Sequence, residues 1–568
     1  MMRLPMTFSC LRSDIEVRAP HDTLLAALEA AARDRAPWMT LHGAKGPVVR
    51  TAPDALASAW RWATLLRSRG VARGDRVPLL MPTGHAFVEA MLGTMLAGGV
   101  PVPLAGPMTF GGVEKYLRNL GAIVADCGAR VLVTHGRMAE AAARDEVLSR
   151  TLRDVVTDSA LDGIPSTPCI QPSLGARDTA FIQYTSGTTG EPKGAVISHG
   201  ALVSNAFAIA RGLDIGPADV GVSWLPLFHD MGLVGVVLTS ICHPYPVHVL
   251  APESFVMRPR RWLELISQVG ATLSPAPNFA YELCMARGGE AQGLRLDSWR
   301  VALNGAEPVH ARTVSRFGER FAAGGLRGDV VMPVYGMAEA TLAVTFPALS
   351  TKFETLPIAR AALEREGRAE PHHGPGAHQA VSVGGPVAGT TIEIVDPAGH
   401  IVSEGTIGQI LVSGPSLMDG YFHNERASAE AIVDRRLRTG DLGFVSGGRL
   451  FVTGRAKELI IRAGRNLSPH DIERVAAEVD GLRDGCVAAF ARPNEETGTD
   501  DLVVAAETVG DDPAKRSRIA SDVRAGLLEV LGIKPDEIHV CGVGTLPRTT
   551  SGKIRRRECA SVFAAKDA

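Results

Sequence analysis

The run Thr185-Ser186-Gly187-Thr188-Thr189-Gly190-Glu191-Pro192-Lys193-Gly194 gathers hydroxyls, glycines and a lysine directly after the apolar stretch TAFIQY. Hydroxyls and exposed backbone N–H groups can wrap a polyphosphate, glycine lets the backbone come close, and Lys193 adds positive charge. The G-x-x-x-x-G-K-[ST] spacing is absent, which argues against a P-loop ATPase. Composition alone leaves a second reading open, because Gly, Thr and Ser in a row also build ordinary surface loops.

The surrounding pattern says what must hold such a loop. Apolar runs of strand length alternate with longer helical patterns, as in RVPLLMP (76–82) followed by HAFVEAMLGTMLAGG (85–99). This predicts an α/β fold: a large N-terminal domain of stacked mixed sheets with helices, over 1–455. After about residue 380 the strands shorten and Gly, Asp and Pro mark the turns, as in TIEIVDPAGHIV (391–402) and GGRLFVTG (447–454), which predicts a β-rich subdomain over about 380–455. From 456 to 568 the pattern is that of a small α+β C-terminal domain. Segment 350–379 is polar, with Pro, Gly and His at its end and no apolar pattern to anchor it, and reads as a surface insertion or partly mobile loop.

Bulk properties exclude several classes. At 568 residues the chain exceeds one core, and its formal charge of −2 gives no reason to expect nucleic acid or an anionic membrane surface as partner. The eight cysteines are scattered without a CxxC pair, which suggests reduced thiols and no zinc site. The longest uncharged run, between Asp230 and Glu253, is broken by Pro244, Pro246 and Pro252, so no integral membrane segment is expected. MMRLPMTFSCLRSDIE lacks the apolar stretch of a signal peptide, and the expected location is cytoplasmic.

Taken whole, Thr185–Gly194 closely resembles the phosphate loop of the adenylate-forming superfamily of acyl-CoA synthetases, peptide-synthetase adenylation domains and luciferases. Tyr335-Gly336-Met337-Ala338-Glu339 resembles the family's adenine and magnesium motif, and Thr439-Gly440-Asp441 its ribose motif. Gly454-Arg455-Ala456-Lys457-Glu458 resembles the hinge, and Pro547-Arg548-Thr549-Thr550-Ser551-Gly552-Lys553 the C-terminal lysine motif. All occur in the family's order.

The resemblance implies attack of a carboxylate on the α-phosphorus of ATP, with pyrophosphate leaving. A carboxylic acid is already ionised at neutral pH, so no general base is needed, only positioning and charge neutralisation. On that resemblance Lys553 supplies the charge, and Glu339, with Thr188, holds Mg²⁺, a hard ion suited to oxygen. Ser186, Gly187, Thr189, Gly190 and Lys193 join Thr185 around the phosphates. Asn304-Gly305-Ala306-Glu307 and Tyr335 to Ala338 flank the adenine. Asp441 accepts from the ribose hydroxyls, Arg455 donates to ribose or phosphate, and Lys457 sits at the hinge of a C-terminal domain that rotates between two half-reactions. His229 falls where the family places a gate between ATP and the acyl tunnel. Phe255–Trp262 is expected near the acyl site, with Arg258 or Arg260 for polar contacts.

WLPLFHDMG (224–232), NGAEPV (304–309) and YGMAEATL (335–342) are most like fatty acyl-AMP ligases, which pass the acyl group to the phosphopantetheine thiol of an acyl carrier protein. Segment 350–379 would be the insertion those ligases carry. Free CoA is the alternative acceptor. The loop after the hinge, Ile461–Asn466, resembles the ligase version but retains Gly464.

Overall fold

Parallel strands Val331–Pro333, Val301–Asn304, Leu273–Ala276 and Gly221–Ser223 lie side by side, and each releases its next residues at the same edge. In open α/β sheets that edge is where ligands bind. The sheet continues through Val247–Leu250 and Pro37–Gly43, and ends on the antiparallel Gly46–Thr51, seven strands in all. In this computed structural model the described residues are 8–106, 113–168, 173–185, 192–374, 377–462, 465–494, 499–549 and 553–564.

A second parallel sheet orders Val100–Pro103, Arg76–Leu80, Val131–Thr134 and Asp154–Thr157. Beside it, Thr179–Thr185 and Lys193–Ser198 form an antiparallel hairpin extended by Gly420–Tyr421. Helix starts follow from local chemistry. Thr51 and Asp54 form a reciprocal capping box on Ala52–Ser68, and the Ser198 hydroxyl caps His199–Gly212 by accepting from Ala201 N–H at 3.2 Å.

The β-rich unit is an antiparallel sheet of six strands running Cys10–Arg12, Thr391–Val395, Gly408–Ser413, Arg436–Ser446 and Ile432–Val433, with Arg449–Arg455 also on Arg436–Ser446. Its edge strand comes from the extreme N-terminal part of the described chain, which the sequence pattern did not suggest. Beyond the hinge motif, Leu482–Asn494, Thr499–Thr508 and Glu537–Cys541 form a sheet covered by Pro469–Ala476 and Pro513–Leu531, around Ile472, Val504, Ile519 and Val523.

Segment 350–379 departs from expectation. Thr355–Ile358 pairs antiparallel with His378–Val381, and Ala362–Glu366 forms a wide helical turn between them. Ile358, Ala369 and Ala380 pack on the stacked rings of Phe444 and Phe451. Its apolar residues are too widely spaced to show a period, yet they meet one small core.

Candidate active site

A cavity of about 3050 Å³ opens between the strand ends, the β-rich sheet and the C-terminal region. Four of its walls come from the loops that follow the parallel strands: Trp224–Asp230, Pro277–Glu282, Ala306–Thr313 and Val334–Glu339. The fold thus gathers residues far apart in sequence because neighbouring parallel strands end together.

The ribose-motif aspartate is held from two sides. Asp441 is 6% exposed and accepts from Tyr335 Oη at 2.7 Å and from Arg455 Nε at 3.0 Å. Antiparallel register sets Asp441 directly opposite Arg455, and the Thr439 hydroxyl accepts from Asp441 N–H at 3.1 Å. Burial pushes the Asp441 carboxyl up, and Arg455 and Tyr335 only partly offset this. Burial and Asp441 together hold Tyr335 in its phenol form.

Glu339 accepts from Tyr421 Oη at 2.9 Å, and Lys193 Nζ sits 5.3 Å from the centre of the Tyr421 ring. Tyr421 therefore joins the candidate cation ligand to the phosphate-loop lysine. Sequence reasoning missed it, because a Gly-Tyr pair in a short strand carries no local signal. Thr185 and Lys193 oppose each other across the hairpin. Ser186, Gly187, Thr188, Thr189 and Gly190 lie outside the described residues. Among the described residues no group of three or more His, Cys, Asp or Glu could hold a metal. One cavity-facing carboxylate near Lys193 nevertheless suits Mg²⁺, which takes few protein ligands and keeps waters and phosphate oxygens as the rest.

His229 lines the cavity, with its Nδ1 2.7 Å from Asp230 Oδ1. Burial would raise the Asp230 carboxyl, but His229, with Lys553 and Met231 N–H, holds it below the usual carboxylate range. Gln183 Nε2 donates to the Phe228 carbonyl at 2.9 Å, fixing the backbone before the histidine.

Lys553 lines the cavity and stays accessible to solvent, within electrostatic reach of Glu307, Asp230 and Asp441. Partial desolvation by the cavity walls lowers its pKa, and Glu307 and Asp230 oppose the shift. Glu307 in turn is raised by burial, although it accepts from Phe279 N–H at 2.6 Å. Lys457 lines the same cavity in the turn Ala456–Glu458.

Two expectations change. The Asn304 side chain is fully buried and turned into the protein, donating to Asn278 Oδ1 at 3.2 Å, so the wall at this strand end is made by Ala306 and Glu307. Gly305 lies behind that wall with Val334 against it. Arg258 pairs with Glu264, and Arg260 spends its donors on the Gly288, Glu290 and Gln292 carbonyls, which leaves neither facing the cavity. Gly336, Met337 and Ala338 do line it. A Cβ on Gly336 would lie 2.0 Å from the Leu342 carbonyl oxygen, which explains glycine there. Ile209, Met231, Gly235, Leu342 and Phe346 give the cavity an apolar inner stretch.

The family model described as AMP-binding enzyme matches residues 45–422. Over 99% of both chains, this protein is 34% identical to a putative acyl-CoA synthetase of Caulobacter vibrioides. It is also 34% identical to the medium-chain-fatty-acid–[acyl-carrier-protein] ligase TtuA of Teredinibacter turnerae, over 85% of this chain and 84% of TtuA. A solved structure from a study of fatty acyl-adenylate ligases of E. coli and L. pneumophila superposes with a TM-score of 0.90 at 34% identity, covering 96% of this chain and 98% of that one.

Proposed function

Because the chain belongs to the AMP-binding enzymes and is an adenylate-forming fatty acid ligase, we propose that it transfers its acyl group to the phosphopantetheine thiol of an acyl carrier protein. Among the described residues no helix is long and apolar enough to cross a membrane.

In the first half-reaction a carboxylate oxygen of the fatty acid bonds to the α-phosphorus of ATP, and the bond to pyrophosphate breaks. Lys553 neutralises the charge that gathers on the α-phosphate. An ammonium aimed into the cavity, among fixed protein dipoles, acts on that charge more strongly than it would in bulk solvent. Asp441, locked by Tyr335 and Arg455, accepts from the ribose hydroxyls, and the Tyr335 ring lies along the adenine. Glu339 would hold Mg²⁺, which would supply charge to screen the phosphates. The apolar stretch from Met231 to Phe346 takes the alkyl chain, and His229 stands between the two compartments. In the second half-reaction the thiol sulfur bonds to the acyl carbon and AMP leaves.

The observation that carries the choice of acceptor is how the insertion meets the C-terminal region. Arg465 Nε and Nη2 both donate to Glu364 Oε2, at 2.9 and 2.6 Å, and that carboxylate is 6% exposed. Arg360 and His378 flank Asp471, each 3.5 Å from a carboxylate oxygen. Rotation of the C-terminal region for thiol transfer has to break these partly buried pairs, and a carrier protein that docks through a protein-sized interface can offset that cost, whereas free CoA brings no such surface. Incubation with ATP, Mg²⁺ and fatty acids, with and without CoA, followed by mass spectrometry, tests the reading. Acyl-AMP that persists beside CoA, and is consumed by a phosphopantetheinylated carrier protein, is expected. Quantitative conversion to acyl-CoA overturns the choice.

A further inference from the structure

Glu507 lies on the central strand Thr499–Thr508 of the C-terminal sheet, outside the cavity, and is only 1% exposed. A buried carboxylate calls for an account, since carboxylates are seldom fully enclosed unless several donors converge on them. Here they do converge. Leu546 N–H donates to Oε1 at 3.0 Å, Arg483 Nη1 donates to Oε2 at 2.9 Å, and Gly544 N–H also reaches the carboxylate.

Two of those donors belong to the segment that leads into Lys553. Leu546 is 4% exposed and packs with Cys486, Phe490 and Cys541, so it forms a fixed root. Beyond that root the two described arms, up to Thr549 and from Lys553, pair with each other. Arg555 N–H donates to the Pro547 carbonyl at 2.9 Å, Arg548 bridges Ile554, and Thr549 N–H donates to the Lys553 carbonyl at 2.7 Å. The Arg548 guanidinium is also tied to the Gly485 carbonyl at 2.6 Å, next to Cys486 on the strand that carries Arg483. The lysine's backbone is therefore set by a hairpin whose base is pinned by one buried acid.

We infer that Glu507 is a positioning residue for Lys553, holding the base of its hairpin so that the ammonium enters the cavity between Glu307 and Asp230. The inference rests on the reading that Lys553 acts in adenylation. A carboxylate suits the task because both its oxygens accept, whereas an amide in the same place turns one donor toward an N–H or guanidinium. The freed hairpin lets the ammonium drift, and a misplacement of ~1 Å costs on the order of 100-fold in rate.

The test measures acyl-AMP formation and, separately, thiol transfer from preformed acyl-AMP, in Glu507→Gln and Glu507→Asp, each alone and combined with Lys553→Ala. Glu507→Asp keeps the negative charge while withdrawing the carboxylate by one methylene from the Leu546 and Gly544 N–H groups, and so serves if the amide variant does not fold. The expected result is a tenfold or greater fall in acyl-AMP formation, little change in thiol transfer, and no further fall when Lys553 is already alanine. Wild-type adenylation in a folded Glu507 variant overturns the inference, as does an equal fold-loss in both lysine backgrounds. Full adenylation by Lys553→Ala alone sinks the underlying reading instead.

Discussion

Arg465→Ala is the most informative single change, because it leaves Glu364 without its bidentate partner at a site only 6% exposed. The remaining contact from Arg360 to Glu364 is 3.9 Å long and points elsewhere, since Arg360 is shared with Asp471. Removing one partner of a buried ion pair costs about 3–5 kcal/mol, largely because the other charge stays enclosed. Glu364 can recover that cost by undocking the insertion from the C-terminal region, while the Arg360 and His378 contacts to Asp471 oppose release. Taking the lower end, about 3 kcal/mol shifts the docked-to-undocked ratio roughly a hundredfold. Limited proteolysis within 350–379 should accelerate, and turnover with free CoA should rise while acyl-AMP formation holds. Glu364→Leu combined with Arg465→Met, which replaces the pair with apolar side chains, should restore docking and suppress CoA turnover again. A folded Arg465→Ala protein with unchanged proteolysis and unchanged CoA turnover refutes the restraint.

Lys553→Ala should lose about 2.7–4 kcal/mol of transition-state stabilisation in adenylation, read from pyrophosphate exchange. Gly336→Ala drives a Cβ into the Leu342 carbonyl, a backbone group that also receives Met337 N–H at 2.8 Å, so a stability loss of about 1–3 kcal/mol and a raised KM for ATP are expected by thermal melting and kinetics. His199 is fully buried and its pKa is pushed down to about 4, mainly by burial. Its neutral ring contributes stability that is complete above the unfolded value of about 6.5 and is lost as pH falls toward 4, because the unfolded chain binds the proton more tightly. Melting temperatures across that window should drop in the wild type, and less steeply in His199→Gln.

The motif segments were legible because each is local. A strand that ends at Asn304 or Ser223 and releases its loop at the same edge is written in a short apolar run followed by Gly, Pro or Asn. The same is true of the hinge and lysine motifs, whose residue types announce charge in a flexible setting. What the sequence could not disclose is which of these charges end up enclosed. Glu364, Glu507 and Asp471 read as ordinary surface acids, yet each meets its arginine or histidine across a sheet or between chain regions, as Glu364 does with a residue 101 positions away. Tyr421 reaches Glu339 only because Gly420–Tyr421 adds to the edge of Lys193–Ser198. Local order is decided by propensity and spacing within a few residues. Partners at long separation are decided by which surfaces pack, and burial then turns an unremarkable carboxylate into a fixed anchor.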